Sequence, residues 1–299
     1  MMIRCVGMAS LGLAIGVLSG LFGVGGGFFL VPMLNVLFNI TFNIAIGSSL
    51  CQMVGISLLA ALRHRSYGNV DFKLALFVFV GSIGGAEFGA RLLMWLKDTG
   101  SMLVNGMPVT NLYLWINIIY ISLLSFIGTI MFRESRKARR KPLQLGIAES
   151  RIFQKVQSVI IKPMVSFHVS HIKHISIWGL LVLGFVVGTL SGLLGVGGGF
   201  VFTPALIYII GVPTSVAIGT GLFQMIFISA YGGVSHFLKG NVDLRVVGCI
   251  LAGSLAGSQV GAWLHNRTHE AHIRYYLSWI IFCAVVVIVV KFLFVIELL

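Results

Sequence analysis

Eight stretches of this 299-residue chain are apolar and long enough to cross a lipid bilayer. Such a stretch must be helical, because lipid offers no hydrogen-bond partner to backbone amides and carbonyls. The mean hydropathy is +1.01 and only 10% of the residues are charged, which excludes an ordinary soluble domain. The chain is therefore predicted to be an all-α polytopic membrane protein. Its spans are expected at residues 7–38, 44–63, 73–96, 112–132, 175–210, 216–236, 245–264 and 273–296.

A second constraint is an internal duplication. Gln224 follows Gln52, and Asp243 follows Asp71, at one constant offset (224 − 52 = 172 and 243 − 71 = 172). The tetrapeptide Gly-Asn-Val-Asp at 68–71 recurs with the same offset. A constant offset through spans and loops indicates two homologous repeats, and facing repeats commonly hold a transporter's site at their interface.

The duplication divides the chain into three parts. Residues 1–132 and 175–299 are predicted to be four-span transmembrane repeats, separated by a basic linker at 133–174. Four spans per repeat would make the repeats parallel, whereas a fifth, re-entrant crossing in each would make them inverted. The sequence leaves this choice open.

The first span of each repeat is interrupted by glycines. Residues 20–28 read Gly-Leu-Phe-Gly-Val-Gly-Gly-Gly-Phe, and 192–200 read Gly-Leu-Leu-Gly-Val-Gly-Gly-Gly-Phe. Pro32 and Pro204 follow at matching distances. Each of these spans exceeds the roughly 20 residues that one crossing needs. We expect two half-helices joined at the glycines, or a full span followed by a re-entrant segment.

The glycine breaks are candidates for an anion site. A helix that starts after a break has first-turn amides without internal partners, and its dipole attracts negative charge. Glycine lets a ligand approach the backbone, and neutral side chains nearby can bind an anion that must also leave. The alternative is that the glycines only permit close helix crossing. The predicted substrate-binding residues are Ser19, Gly23, Gly25, Gly26, Gly27, Ser48, Ser49, Gln52, Ser191, Gly195, Gly197, Gly198, Gly199, Thr220 and Gln224.

Two charged residues fall in the middle of a predicted span. Glu87 and Arg91 are four residues apart on one helix face. Because intramembrane charges are costly, they are candidates for coupling or gating, with a local ion pair as the structural alternative. Asp71 and Asp243 each precede an apolar helix and are predicted helix N-caps.

Histidine and cysteine give little support for other chemistry. His265, His269 and His272 share one helix face, but contacts at the membrane edge are a better interpretation than a metal site. No histidine is expected deep in a span, and the four cysteines are interpreted as packing residues. No nucleophile–base or metalloprotease pattern is found, so we predict no catalytic residue, metal or cofactor, and no enzyme activity.

Glycines also recur at four-residue spacing in the first and third predicted spans of each repeat. Small faces of this kind let helices approach closely in lipid, so these two spans are expected to pack together within each repeat. The glycines concerned are Gly12, Gly16, Gly20, Gly81, Gly85, Gly89, Gly184, Gly188, Gly192, Gly253, Gly257 and Gly261.

The linker suggests an orientation. It contains ten lysines and arginines, so it is predicted to be cytoplasmic, and four spans before it would place both termini in the cytoplasm. The loops near 63–65 and 236–245 would also be cytoplasmic. Residues 151–162 have the pattern of an amphipathic helix on anionic lipids. This lipid interaction explains the formal charge of +13 without nucleic acid.

Together these motifs resemble the sulfite exporter TauE/SafE family, also called the 4-toluene sulfonate uptake permeases. The residues are the duplicated Gly-Leu-x-Gly-Val-Gly-Gly-Gly with its downstream proline, an Ala-Ile-Gly segment leading to glutamine, and the Gly-Asn-Val-Asp loop. The resemblance covers nearly the whole chain except 133–174. It implies a multi-pass carrier of sulfur-containing anions in a bacterial inner membrane, with Gly23 to Gly27, Gly195 to Gly199, Gln52 and Gln224 in the site.

The sequence thus favours a secondary transporter of sulfite, organosulfonates or similar small anions. The two repeats would rock about a midplane site, with coupling to a proton or another cation as an open question. An anion channel and a non-transporting scaffold that docks through the basic linker are the alternatives. Neither the oligomeric state nor the direction of transport is predicted.

Overall fold

A computed structural model describes residues 2–104, 107–140, 162–167, 169–170, 172–268 and 270–298. The first half contains α1 (Met2–Phe22), α2 (Gly27–Phe38), α3 (Phe42–Ser66), α4 (Phe72–Asp98) and α5 (Asn111–Arg140). The second half contains α6 (Ile177–Leu194), α7 (Gly199–Ala205) continued by a π-helical segment (Leu206–Ile210), α8 (Thr214–Leu238), α9 (Leu244–Arg267) and α10 (Glu270–Leu298). Eight of these helices are long and apolar enough to cross a membrane, which confirms the all-α polytopic class.

Two short antiparallel hairpins accompany the helices. β1 (Ser101–Val104) pairs with β2 (Met107–Thr110) between α4 and α5, and β3 (Met164–Phe167) pairs with β4 (Ile172–Ser176) before α6. The second hairpin is tied to the helices, because Ser170 donates to a carboxylate oxygen of Asp71 from both its backbone amide and its hydroxyl. The predicted amphipathic helix at 151–162 falls almost entirely outside the described residues.

The glycine break turns the chain back on itself. A Cβ on Gly26 would meet Ile15 in the middle of α1, and the ring of Phe38 at the end of α2 lies beside Gly7. α2 therefore returns antiparallel to α1. Its 12 residues span roughly 18 Å, which is well short of a hydrocarbon core of about 30 Å. Of the two arrangements expected from sequence, the full span with a re-entrant segment is the one observed.

The corresponding helices α3 and α8 run antiparallel. Gly47 near the start of α3 faces His236 near the end of α8, and Gly219 near the start of α8 faces His64 near the end of α3. The partial crossing of α2 accounts for this reversal, because it gives the first half an odd number of crossings. The two halves are thus inverted relative to each other in the membrane.

Because the first half crosses an odd number of times, the chain termini and the linker lie at opposite ends of the helix bundle. The side chain of Lys291 in α10 reaches the carbonyl of Asn35 in α2, so the chain ends near the end of the bundle at which it begins. α5 stops at the other end, where Phe132 stacks on Tyr275 near the start of α10. The predicted combination of a cytoplasmic linker with cytoplasmic termini is therefore wrong, because a count of four spans omits the crossing by α2. The loop at 236–245 likewise lies opposite the loop at 63–65.

The glycine-rich helix faces pack tightly, but each packs against a helix from the other half of the chain. A Cβ on Gly16 of α1 would collide with the carbonyl of Ser254 in α9, and one on Gly85 of α4 with the carbonyl of Phe185 in α6. The expectation that the first and third spans of one repeat pack together is wrong. Inversion makes α1 parallel to α9 and α4 parallel to α6, so each small face meets its partner in the other half.

The membrane core consequently forms two mixed bundles. We call α1, α3 and α9 the first bundle, in which Gln52 Nε2 of α3 donates to Ser254 Oγ of α9 at 2.7 Å. We call α4, α6 and α8 the second bundle, in which Gln224 Nε2 of α8 donates to Ser82 Oγ of α4 at 3.1 Å. α3 and α8 meet where the bundles join, and α5 packs against α10 beside them.

A disulfide between Cys5 and Cys249 joins α1 to α9 within the first bundle. The interpretation of these two cysteines as simple packing residues is therefore wrong. Their spacing in sequence carries no signal, because the bond depends on the parallel contact between helices from different halves. Cys51 and Cys283 are free thiols.

Candidate anion site at the glycine breaks

The two glycine breaks lie side by side where α3 meets α8. A Cβ on Gly27 would lie 2.6 Å from the carbonyl oxygen of Gly195, and one on Gly199 would lie 3.0 Å from that of Gly23. The rings of Phe28 and Phe200, directly after the breaks, stack with their centroids 5.6 Å apart. The starts of α2 and α7 are therefore neighbours in the interior of the protein.

Glycine is required here by backbone conformation. Gly23, Gly25 and Gly26 have φ angles of 65°, 73° and 70°, and their counterparts Gly195, Gly197 and Gly198 have 69°, 66° and 78°. The left-handed region costs other residues about 1–2 kcal/mol each. The first glycine of each break also closes the preceding helix, since the Gly23 amide donates to the Ser19 carbonyl and the Gly195 amide to that of Ser191, both at 2.8 Å.

Beyond those closing bonds, the breaks contain amides without partners. In the described part of the chain, no acceptor is found for the backbone amides of residues 24–28 or 196–200. All of these residues are buried. A buried amide without a partner costs about 1–3 kcal/mol, so two runs of them are expected to bind a ligand or water. Successive amides around left-handed glycines form the kind of concave nest that binds anions.

Two hydroxyls hold the breaks in place. Ser49 of α3 donates to the Gly195 carbonyl at 3.0 Å, and Thr203 of α7 donates to the Gly23 carbonyl at 3.2 Å. Each bond crosses from one half of the chain to the other. Ser49 was predicted at the site, whereas Thr203 was missed, because a single threonine in an apolar segment gives no sequence signal.

The other predicted site residues fall into two groups. Ser19, Ser191, Gln52 and Gln224 are fully buried, and each retains a polar oxygen without a partner among the described residues. Ser48 and Thr220 instead hold the loops at opposite ends of the protein. Ser48 Oγ accepts from the Asp243 amide at 3.0 Å, and Thr220 Oγ1 accepts from the Asp71 amide at 2.9 Å. Their part in substrate binding stays a prediction.

Both aspartates act as the expected helix caps. Asp71 accepts from the Leu74 amide at 3.1 Å, and Asp243 accepts from the Arg245 amide at 2.8 Å. The two N-cap predictions are confirmed, and their capped helices α4 and α9 start at opposite ends of the protein.

Two methionines that sequence analysis overlooked lie between the breaks. Met53 of α3 and Met225 of α8 are fully buried and differ by the repeat offset (225 − 53 = 172). A Cβ on Gly25 would lie 2.9 Å from Met53 Cε and 2.7 Å from Met225 Cε. Both thioether side chains therefore reach the same glycine. Their matched positions in the two repeats could have identified them from the sequence.

Glu87 belongs to a larger polar cluster than its sequence suggested. It accepts from Arg91 at 2.9 Å, from Ser235 at 2.8 Å and from Lys239 at 3.3 Å. The predicted pair of Glu87 with Arg91 is thus present, and Lys239, the residue directly after α8, adds a second cation. The cluster joins α4 to α8 inside the second bundle, where Glu87 is 27% exposed and Arg91 75% exposed.

Buried histidines are a further feature that sequence analysis missed. His64 Nε2 pairs with the Gly20 carbonyl at 3.1 Å, and His236 Nε2 with the Gly192 carbonyl at 2.9 Å. Both rings are fully buried in the protein near the ends of α3 and α8, and this burial was not anticipated from sequence. Their common offset could have identified them. They tie each break's preceding helix to its own bundle.

His265 joins this arrangement at one end only. Its Nδ1 pairs with the Leu21 carbonyl at 2.9 Å, and its ring lies 4.7 Å from that of His64. Among the described residues, no group of three or more candidate metal ligands is found. His269 lies outside those residues, so the local environment of the three spaced histidines is only partly described.

These features define a class, an inverted helical membrane protein with a buried polar centre, as in many transporters. The family model described as "Sulfite exporter TauE/SafE" matches residues 8–288. The chain therefore belongs to the sulfite exporter TauE/SafE family, and its class is that of a membrane transporter.

Curated relatives have the same general description. The "Probable membrane transporter protein YunE" of Bacillus subtilis is 28% identical over 264 residues, which cover 86% of this chain and 87% of the relative. YdhB of the same organism is 25% identical, covering 84% and 86%. MJ0441 of Methanocaldococcus jannaschii is 24% identical, covering 90% of each chain. No solved structure matches the sequence.

The break geometry predicts that Gly26→Ala destabilises the protein more than Gly240→Ala. Both glycines have left-handed backbones, with φ angles of 70° and 72°. A Cβ at Gly26 would press on Ile15, whereas no described atom lies within 4 Å of one at Gly240. The packing clash should add about 1–3 kcal/mol to the loss of folding stability caused by Gly26→Ala. Thermal unfolding of the detergent-solubilised variants measures the difference, and equal losses would contradict the packed geometry.

Proposed function

We propose that this protein is a secondary transporter of small sulfur-containing anions, such as sulfite or organosulfonates, and that it binds them at the paired glycine breaks. The observation that carries the proposal is the two buried runs of amides that have no partner among the described residues, brought together from the two halves of the chain. The family name and the resemblance in sequence support the substrate class.

The site chemistry suits an anion that has to be released. Taking an anion out of water costs several kcal/mol, and charge-assisted hydrogen bonds return about 1.5–3 kcal/mol each. A few amides and the hydroxyls of Ser19 and Ser191 are therefore enough for binding. Because none of these groups carries a full charge, the anion is not held as it would be by a lysine or arginine.

The packing supports the first and second bundles as the bodies that move. The halves of the sequence cannot rock as separate units, because α1 is locked to α9 and α4 to α6. The alternating-access motion is instead a relative movement of the first and second bundles. Since the breaks are buried between α3 and α8, an anion reaches them only when these helices separate toward one side. This closed centre favours a carrier over an open anion channel.

The orientation follows from charge and cysteine chemistry. Arg63, Arg65 and Arg267 lie at the linker end, so we infer that this end is cytoplasmic. The Cys5–Cys249 disulfide lies toward the opposite end, which fits an oxidising extracytoplasmic side. Both termini would then be extracytoplasmic. The description of relatives as membrane transporters supports a cell-membrane location, which would be the inner membrane in a cell with two membranes.

Reconstituted protein should show counterflow of radiolabelled anion. Proteoliposomes preloaded with sulfite or an organosulfonate should accumulate the labelled anion transiently, because a carrier exchanges substrate across the membrane. Gly25→Leu and Gly197→Leu should abolish this flux, since a Cβ at either position points at Met53 and Met225 and the new side chains would fill the space between the breaks. Gly179→Leu is the matched control, because a Cβ there would meet none of the described residues within 4 Å. Normal flux in both break variants, with intact folding, would rule out the site.

Cross-linking α3 to α8 should block transport. A Cβ on Gly233 of α8 would lie 3.1 Å from the sulfur of Cys51 in α3, so Gly233→Cys creates a disulfide between the bundles on oxidation. Cys283 is replaced by serine in all samples. An organosulfonate serves as substrate, because sulfite cleaves disulfides. Flux should fall on oxidation and recover with reductant, whereas protein without the new cysteine should be unaffected. Full flux after complete cross-linking would show that the bundles need not separate.

The orientation can be tested by adding single cysteines to otherwise cysteine-free protein in intact bacterial cells. A cysteine at Leu299 should react with a membrane-impermeant maleimide from outside, whereas one at Arg140 should react only after lysis. The reverse pattern would place the linker outside. This assay reads topology and is independent of transport.

A further inference from the structure

The space between the two glycine breaks is filled by two methionine side chains. Met53 and Met225 are completely buried and come from the two helices that have to separate for an anion to reach the site. A Cβ on Gly197 would lie 2.7 Å from Met53 Sδ and 3.0 Å from Met225 Cγ. Together with the shared contact at Gly25, this places both methionines against both breaks.

We propose that Met53 and Met225 determine the selectivity of the anion site, favouring anions that have one apolar or sulfur face over anions with oxygen on every face. This inference rests on the proposed function, because it assumes that the anion binds at the breaks. It assigns a role to two residues that make no hydrogen bond to the break backbone in the described chain.

The two walls of the site differ in their chemistry. The breaks present backbone amides, which donate hydrogen bonds to oxygen atoms. The methionines present thioether sulfur and methyl groups, which cannot donate to an anionic oxygen. An oxygen turned toward them would lose its water without gaining a partner, and that loss is unfavourable.

A sulfonate or sulfite suits such a two-sided site. A sulfonate can turn its three oxygens to the amides and its carbon substituent to the methionines. Sulfite has three oxygens and an exposed, polarisable sulfur lone pair, which can contact the soft thioethers. Sulfate and phosphate must place an oxygen against the thioethers in any orientation. Recognition by apolar walls with a few placed polar groups is typical of small-molecule sites.

Methionine also suits a wall that has to move. It is unbranched, with three rotatable bonds, and therefore refills space more easily than leucine or isoleucine. Ser229 Oγ lies 4.0 Å from Met53 Sδ, a weak contact that constrains the side chain little. The methionines can therefore occupy the site when it is empty and withdraw when an anion binds.

The test compares methanesulfonate with sulfate at constant ionic strength. Methanesulfonate carries a methyl group where sulfate has a fourth oxygen. Binding to purified protein is measured for wild type, Met53→Gln, Met225→Gln and the matched apolar variants Met53→Leu and Met225→Leu. Glutamine has nearly the length of methionine but can donate a hydrogen bond. The wild type should prefer methanesulfonate, and each glutamine variant should shift the ratio of dissociation constants toward sulfate about tenfold, equivalent to ~1.4 kcal/mol. The leucine variants should keep the wild-type preference.

A second measurement uses wild-type protein and does not depend on the glutamine variants folding. The methionine methyl groups are labelled with carbon-13, and the resonances of residues 53 and 225 are assigned from the leucine variants. Methanesulfonate should shift both resonances. The matched control is Met131, a buried methionine of α5 beside Phe132, whose resonance should stay in place.

The outcomes separate the inference from the proposed function. Binding of methanesulfonate with unshifted resonances for Met53 and Met225, or with an unchanged anion ratio in folded glutamine variants, would overturn the selectivity role while leaving an anion transporter. Equal affinity of the wild type for both anions would do the same. If the wild type binds neither methanesulfonate, sulfate nor sulfite, both the proposed function and the inference fall.

Discussion

The organisation of this membrane protein depends on buried backbone amides that find no partner within the described part of the chain. Lipid cannot supply the missing hydrogen bonds, so the glycine breaks have to be enclosed by protein from both halves of the chain. The enclosure is specific: Ser49 reaches across to Gly195, and Thr203 to Gly23. A single repeat would leave its break exposed to lipid, which explains why the duplicated chain folds as one interlocked unit.

Inversion makes that enclosure possible. Because α2 and α7 are too short for a full span and start partway along the preceding helix, each break lies inside the protein instead of at a membrane surface. Glycine faces then let α1 approach α9, and α4 approach α6, closely enough that backbone touches backbone. The resulting bundles contain helices from both halves. The two sequence repeats therefore do not correspond to the two bundles that we propose to move.

Much of the local structure could be predicted, whereas the pairing could not. Hydropathy and the offset located the spans, and the position of Asp71 before an apolar run identified a cap. The return of α2 was undecided, because a helix of 12 residues after a break has the same composition whether it continues forward or turns back. Whether α2 turns back or continues forward decides whether the second half is inverted relative to the first. The errors in helix pairing and terminal side, and the missed link between Cys5 and Cys249, therefore have a single cause.

The centre of the molecule is symmetric, but its ends are not. Met53 matches Met225 and His64 matches His236, so the two breaks offer an anion nearly the same surroundings from either side. Glu87, however, corresponds to Gln259, and Lys239 corresponds to Tyr67. The ion cluster thus occurs at one end, and the second histidine, His265, at the other. A symmetric site cannot by itself favour one direction, so any preference for import or export has to come from these unequal ends or from the gradients across the membrane.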